Sequence, residues 1–355
     1  MSEVFGDSKK VRFALVGCGR ISAAHFDAMT THRNSCELVD VCDIDSSALA
    51  KAVAATGVQG HQSIEDLLQE SSADCVVIST PSGLHAQHVM QVATSGRSVI
   101  TEKPRATKWN DGLQMLEVCT KAGVDLFVVK QNRHNPTLAL LKRAIDDGRF
   151  GRIFAVAVNV FWARPQSYYD AAPWRGTWAM DGGAFMNQAS HYVDLLDWLI
   201  GPVDSVHAMT ATLARSIEAE DTGVINIRWK HGALGSMTVT MLTYPSNYEG
   251  SITILGERGT VKVGGIAVNK IEAWEFEDHY DYDDSLQQAN YETTSVYGHG
   301  HRLYYANVIR KLRGEATQTI NGVQGLRSLE LLEAIYRSAR TAEVVSLPLS
   351  RTNLS

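Results

Sequence analysis

The chain has 355 residues, 45% of them hydrophobic and 8% aromatic, which is too long for one ordinary core and suits two domains of about 150 residues. That composition excludes a disordered or fibrous protein. With 33 Lys and Arg against 39 Asp and Glu, the net charge is −6; no global field favours nucleic acid, and an anionic ligand must be met by local cations. The five cysteines (Cys18, Cys36, Cys42, Cys75, Cys119) include no C-x-x-C pair and fit reduced thiols in a cytoplasmic protein. The first ten residues are polar and no run approaches a membrane span, so neither a secretion signal nor a membrane anchor is expected.

From Val11 onward, short β-rich runs alternate with helix-like segments: VRFALVG, ISAAHFDAMTTH, CELVDVCDI, SSALAKAVAAT. Three more buried-strand patterns follow, ADCVVIST, RSVITE and DLFVVK, with helical stretches between them. This βαβ alternation predicts an α/β fold whose N-terminal part is a Rossmann-type, doubly wound parallel sheet. Beyond a helix ended near Gly148 the pattern becomes long alternating strands joined by Gly-containing turns, from IFAVAVNVFW to KIEAWEF. These predict a C-terminal α+β domain with a large mixed, mostly antiparallel open sheet. The domains are placed at 1–131 and 132–355. A polar, aromatic insertion, ARPQSYYDAAPWRGTWAMDGGAF, precedes a helical NQASHYVDLLDWLI, and such loops on a sheet scaffold usually carry function. The acidic, Tyr-rich stretch 278–300 reads as an exposed loop before two closing helices, at about 301–313 and 324–340.

The strand VRFALVG runs into Gly17-Cys18-Gly19-Arg20-Ile21-Ser22, a G-x-G-x-x-G/A fingerprint with Ser22 at its third small position. Gly17 suits the tight turn, and Gly19 lets backbone approach a pyrophosphate. Asp43 ends the second strand, where a carboxylate accepts hydrogen bonds from a ribose diol and repels a 2′-phosphate; no Arg replaces it at 44–46, so NAD is favoured over NADP. Thr80, in Thr80-Pro81-Ser82, lies on the carboxyl edge of a later strand, as ligand contact or plain turn.

Glu102-Lys103-Pro104 also ends a strand, and Pro104 keeps Lys103 extended. An ammonium there suits polarising a hydroxyl or stabilising an alkoxide, although a lysine before proline can equally be a surface residue. Asn187 and His191 stand four apart on a helix and so share one face, with Asp194 three further on to take the second ring proton. His191 then reads as a general base, or as a residue that packs. Arg133, Arg164 and Arg175 suit carboxylate and pyrophosphate oxygens, and Trp162, Tyr168, Tyr169 and Trp174 offer faces and hydroxyls, with packing the plain alternative. His299 and His301 have H-x-H spacing, but two histidines fall short of a ligand set and no metal is expected.

These residues together resemble the glucose-fructose oxidoreductase/inositol dehydrogenase/rhizopine catabolism family, over nearly the whole chain. The resemblance rests on GCGRIS, the EKP tripeptide, the Trp174-Arg175 pair, the GG-then-helix segment with His191 and Asp194, and the C-terminal LRSLELLEAIYRSA. It implies that Lys103 and His191 flank the reacting carbon, with Asn187 as a third catalytic residue, and that the cofactor lies across both domains. Cofactor contacts it implies are Gly17, Gly19, Arg20, Ile21, Asp43, Thr80, His85, Glu102, Lys103, Gln131, Trp174 and Arg175. Substrate contacts it implies are Lys103, Arg133, Arg164, Tyr168, Asn187, His191 and His301. The family often has Asp where this chain has Asn187, which removes a charge that would raise the histidine's pKa.

Within the family, QNRHNP and the stretch from Phe161 to Val203 are similar to enzymes that oxidise the 3-hydroxyl of UDP-N-acetylglucosaminuronate for surface polysaccharides. The resemblance thus implies an NAD-dependent sugar-nucleotide dehydrogenase. It also implies 2-oxoglutarate as a second substrate in some members, and a homodimer or homotetramer. Another sugar or cyclitol dehydrogenase, or a non-catalytic sensor of NAD or a sugar nucleotide, stays open.

Overall fold

The computed structural model describes residues 10–293, 296, 300–317 and 321–349. They form two units, one of residues 1–130 and 301–329, the other of 131–300 and 330–355.

The first unit holds a six-stranded, all-parallel sheet. Its strands are β1 (Val11–Val16), β2 (Cys36–Cys42), β3 (Gln59–His61), β4 (Cys75–Ile78), β5 (Ser98–Thr101) and β6 (Leu126–Val128), in the spatial order β3-β2-β1-β4-β5-β6. The order reverses beside β1, which makes the carboxyl edge at β1 and β4 the switch point where such sheets take ligands. The central strands read as unbroken apolar runs because helices cover both faces; Phe13, Leu15, Val76 and Val77 are fully buried. β3 escaped the sequence reading because a three-residue edge strand, Gln-Gly-His, carries no periodic signal.

The first unit also takes in residues 301–329. Helix Gly300–Leu312 returns to the first unit, where Tyr304, Tyr305, Val308 and Ile309 form an apolar stripe packed with Phe13, Leu15 and Phe127.

The second unit is built on an eight-stranded mixed sheet. Its strands are β7 (Ile153–Phe161), β8 (Val203–Ala211), β9 (Thr222–Trp229), β10 (Leu234–Thr240), β11 (Glu249–Gly256), β12 (Gly259–Gly264), β13 (Lys270–Phe276) and β14 (Val345–Ser346), ordered β13-β12-β11-β7-β10-β9-β8-β14. Only β7 and β10 pair in parallel; the other neighbours are antiparallel. Alternate residues point to the covered face, where Ile225, Ile227 and Trp229 of β9 and Met237 and Val239 of β10 are buried. The opposite face leaves Met209, Val224, Leu234 and Leu255 exposed.

The stretch after β13 is not the plain exposed loop its composition suggests. Residues Asp281–Ser285 form a 3₁₀ turn, and Asp283 accepts both guanidinium nitrogens of buried Arg149 at 2.7 and 2.8 Å. That guanidinium lies 4.0 Å from the Phe276 ring centroid and 4.3 Å from that of Tyr280, so acidic and aromatic residues here wrap one cation. No helix among the described residues is long and apolar enough to cross a membrane.

Candidate active site

In the first unit, β1 ends at Gly17, whose φ is +98° and whose Cβ, if present, would lie 2.7 Å from the Ser79 backbone. Only glycine fits between the ends of β1 and β4. A Cβ at Gly19 would meet nothing within 4 Å, so this turn presents open backbone, as a pyrophosphate cradle requires. Ser22, the departure from the glycine pattern, is explained locally. Its hydroxyl donates to the Gly19 carbonyl at 2.7 Å and ties the turn to the first helical residue.

Asp43 follows β2. One carboxylate oxygen accepts the Cys18 N–H at 2.7 Å and the other accepts the Asp45 N–H at 2.8 Å, which fixes the carboxylate beside the glycine turn with lone pairs left for a diol. Ile44, the next residue, is 86% exposed; an apolar surface beside the ribose acceptor suits an adenine face, and sequence reasoning had read this position only as a missing arginine. Arg20 is exposed and Ile21 half-buried on the same turn. Thr80, half-buried at the end of β4, shares a 3.1 Å contact with His88 Nδ1. These residues fit a bound dinucleotide.

Two expected cofactor contacts have partners within the first unit. His85 is buried with its ring nitrogens 2.8 and 2.9 Å from the Pro104 and Thr80 carbonyls. Burial lowers its pKa against the pull of those carbonyls, and a neutral ring donates to only one of the two. Glu102 is buried with Oε1 3.2 Å from His25 Nε2 and 3.5 Å from His301 Nε2. His301, expected at the substrate, belongs to the first unit. Lys103 follows Glu102 at the carboxyl edge of the sheet, half-buried and joined to Pro104 by a cis peptide bond. His299 lies outside the described residues.

In the second unit the histidine segment is not one regular helix. A π-helical turn, Ala184–Gln188, is followed by α-helix Ser190–Leu195 and a second π turn, Leu196–Ile200. Sequence periodicity cannot reveal π turns, which recur at functional sites. They also remove the reason for placing Asn187 and His191 on one face. The Asn187 side-chain amide donates to the buried carboxylate of Asp181, whose other oxygen accepts the Gly176 N–H at 2.7 Å. A carboxylate at 187 would oppose Asp181, so the departure from the family's Asp is matched by a local partner.

His191 is buried, and its Nε2 lies 3.1 Å from Gln131 Nε2. An amide N–H can only donate, so the ring accepts there. Gln131, expected at the cofactor, also orients the histidine. Asp194, expected to take the second ring proton, accepts Arg133, expected at the substrate, in a bidentate pair at 2.7 and 2.8 Å.

The remaining cations gather on the insertion. Arg164 donates to Gln188 Oε1 at 3.0 Å, and Gln188 in turn donates to the Tyr168 hydroxyl at 3.1 Å. Arg175 donates to the Tyr168 carbonyl at 2.6 Å and lies 4.5 Å from the centre of that ring, beside half-buried Trp174. Arg164, Tyr168, Trp174 and Arg175 therefore form one cluster, although two were expected at substrate and two at cofactor. Trp162 and Tyr169 are buried as packing. Sequence reasoning missed Asn132 and Asn135, whose buried side-chain amides have no hydrogen-bond partner on either atom. Two adjacent orphaned amides signal recognition of a polar ligand.

Also missed was Glu220, buried between the Phe185 N–H and the Tyr336 hydroxyl, both at 2.9 Å. Burial pushes its pKa up to about 7.

A switch-point Gly turn with its ribose carboxylate, joined in sequence to a mixed-sheet unit bearing an oriented histidine, defines a two-domain NAD-binding oxidoreductase. The chain belongs to the glucose-fructose oxidoreductase/inositol dehydrogenase/MocA family. Residues 11–130 match its "Oxidoreductase family, NAD-binding Rossmann fold" and residues 142–347 its "Oxidoreductase family, C-terminal alpha/beta domain". The WlbA dehydrogenase of Bordetella pertussis, solved in complex with NADH and UDP-GlcNAcA, is 61% identical, with a TM-score of 0.94 over 96% of this chain and 99% of that one. The WlbA dehydrogenase of Chromobacterium violaceum, solved with the same two ligands, is 60% identical, with a TM-score of 0.93 over 97% and 98%. More distantly, the D-apiose dehydrogenase of Paraburkholderia graminis is 26% identical over 96% of this chain and 90% of its own length.

Proposed function

We propose that this protein oxidises the 3-hydroxyl of UDP-N-acetylglucosaminuronate to the ketone with NAD. The observation that carries the reading is 61% identity along nearly the whole chain to a dehydrogenase solved with NADH and UDP-GlcNAcA. NAD, when bound, accepts the hydride. Gly17 and Gly19 admit the pyrophosphate and Asp43 holds the ribose diol. The hydroxyl proton passes to Lys103 or His191, and the lysine ammonium stabilises the developing alkoxide. Gln131 holds the His191 ring in one orientation and Asn187 stays bound to Asp181. The Arg164–Tyr168–Arg175 cluster offers charge and aromatic faces to a uronate and its diphosphate, and Asn132 and Asn135 offer amides to sugar hydroxyls.

The product belongs to surface-polysaccharide sugar synthesis, and 2-oxoglutarate serves as second substrate by reoxidising the cofactor. The five free thiols suit a cytoplasmic enzyme. The exposed apolar face of the eight-stranded sheet suits burial against another copy of the chain, in a homodimer or homotetramer.

The test mixes the purified protein with UDP-N-acetylglucosaminuronate and NAD, with and without 2-oxoglutarate, following nicotinamide absorbance and product mass. A product two hydrogens lighter is expected. No oxidised product in either mixture sinks the reading and turns the search to other sugars.

A further inference from the structure

His25, Glu102 and His301 come from three distant parts of the chain: the helix after the glycine turn, the end of β5 and the start of the returning helix. All three are buried, at 0%, 6% and 5% exposure. They belong to the same unit, and each turns one ligand atom to a common point, the three lying within 4.8 Å of one another. Both Nε2 atoms lie in ion-pair range of Glu102 Oε1, at 3.2 and 3.5 Å, yet none of the three atoms makes a hydrogen bond of good geometry, and three such atoms in a dry interior suit a common partner.

The edges of this triangle carry chemical information. Zinc bound to nitrogen or oxygen at about 2.05 Å in a tetrahedron separates its ligand atoms by roughly 3.3 Å. The two histidine-to-carboxylate edges are 3.2 and 3.5 Å. The third edge, between the two histidine nitrogens, is within 4.8 Å. His25 has the outer support that metal-binding histidines use, since its Nδ1 lies 2.8 Å from the Tyr305 hydroxyl and so leaves Nε2 as the ligating atom.

We propose that His25 Nε2, Glu102 Oε1 and His301 Nε2 bind one divalent cation of the zinc type, with the fourth position left to a small ligand such as water. Its role is to hold the returning helix and the glycine-turn helix against the Glu102 peptide, immediately before Lys103. The site is structural, since every ligand is buried. The inference does not depend on which sugar the enzyme oxidises.

The test uses the full-length protein without a histidine tag, stripped with a chelator, loaded with Co²⁺ and passed through a desalting column. The expected result is one Co²⁺ per chain, with the strong visible absorption of a four-coordinate centre, and its loss when Zn²⁺ is added. His301→Gln and Glu102→Gln should each abolish retention, while His279→Gln, at an exposed histidine, should not. Should the site variants fail to fold, X-ray absorption on zinc-loaded wild type decides, with two imidazoles and oxygen expected around the metal. Wild type that retains no metal, a six-coordinate spectrum, or equal retention in folded site variants overturns the proposal and leaves a direct histidine–carboxylate contact.

Discussion

Gly17 and Gly19 show how one motif sets two different requirements. Gly17 is fixed by the chain itself, through its positive φ and the Ser79 backbone 2.7 Å from any Cβ. A Cβ at Gly19 would meet nothing within 4 Å, so the position answers to a ligand. Gly19→Ala is therefore expected to change stability by less than about 1 kcal/mol while weakening NADH binding at least tenfold, read by thermal melting beside a fluorescence titration. Glu220 supplies a pH prediction. Its folded pKa, near 7, is raised above the ordinary carboxylate value of 4.5, so the folded state binds the extra proton. The associated stability is complete below pH 4.5 and is lost as pH rises through 7, by about 3 kcal/mol in all. Glu220→Gln should remove that decline and be the more stable protein at pH 8 in urea denaturation. Neither Glu220 nor Asn187 announces its partner in the sequence, since Tyr336 and Asp181 are brought to them by the fold.

At the scale of elements, alternation and turn chemistry made nearly every strand of both sheets legible, because half-buried strands must repeat with period two and buried parallel ones must be apolar. The π turns flanking His191 stayed hidden because they are set by packing rather than by composition. The segment after β13 was misread for a related reason: Asp283 and Tyr282 look solvated until Arg149 is placed among them. Removing one member of this pair leaves a buried charge, so Arg149→Met should cost about 3–5 kcal/mol, measured by chemical denaturation. Asp283 is held at about 2 by Arg149 and neighbouring N–H donors, against its own burial. Its contribution is present above the ordinary value of 3.8 and lost as pH falls through 2, so wild type and the Arg149 variant should converge in strong acid.

For the molecule as a whole, the second sheet leaves one face uncovered. Leu234 and Leu255 stand on either side of Ala155 in the cross-strand register, and Met209 stands opposite Val224. If a second copy covers this face, Leu255→Glu should shift the protein to monomers in size-exclusion chromatography with light scattering, leaving its melting temperature within a few degrees. An unchanged mass would move the interface elsewhere.

The amino-acid sequence by itself determined the two sheet types, the NAD-binding turn with Asp43, and the lysine and histidine to test for catalysis. Each depends on local spacing or on the chemistry of a single residue. Only the tertiary structure decided which polar residues are already committed. Arg133 went to Asp194, Gln131 to His191, and His301 to Glu102 and His25, because partners 60 to 276 residues apart in the chain are chosen by how strands and helices pack, which no local pattern records.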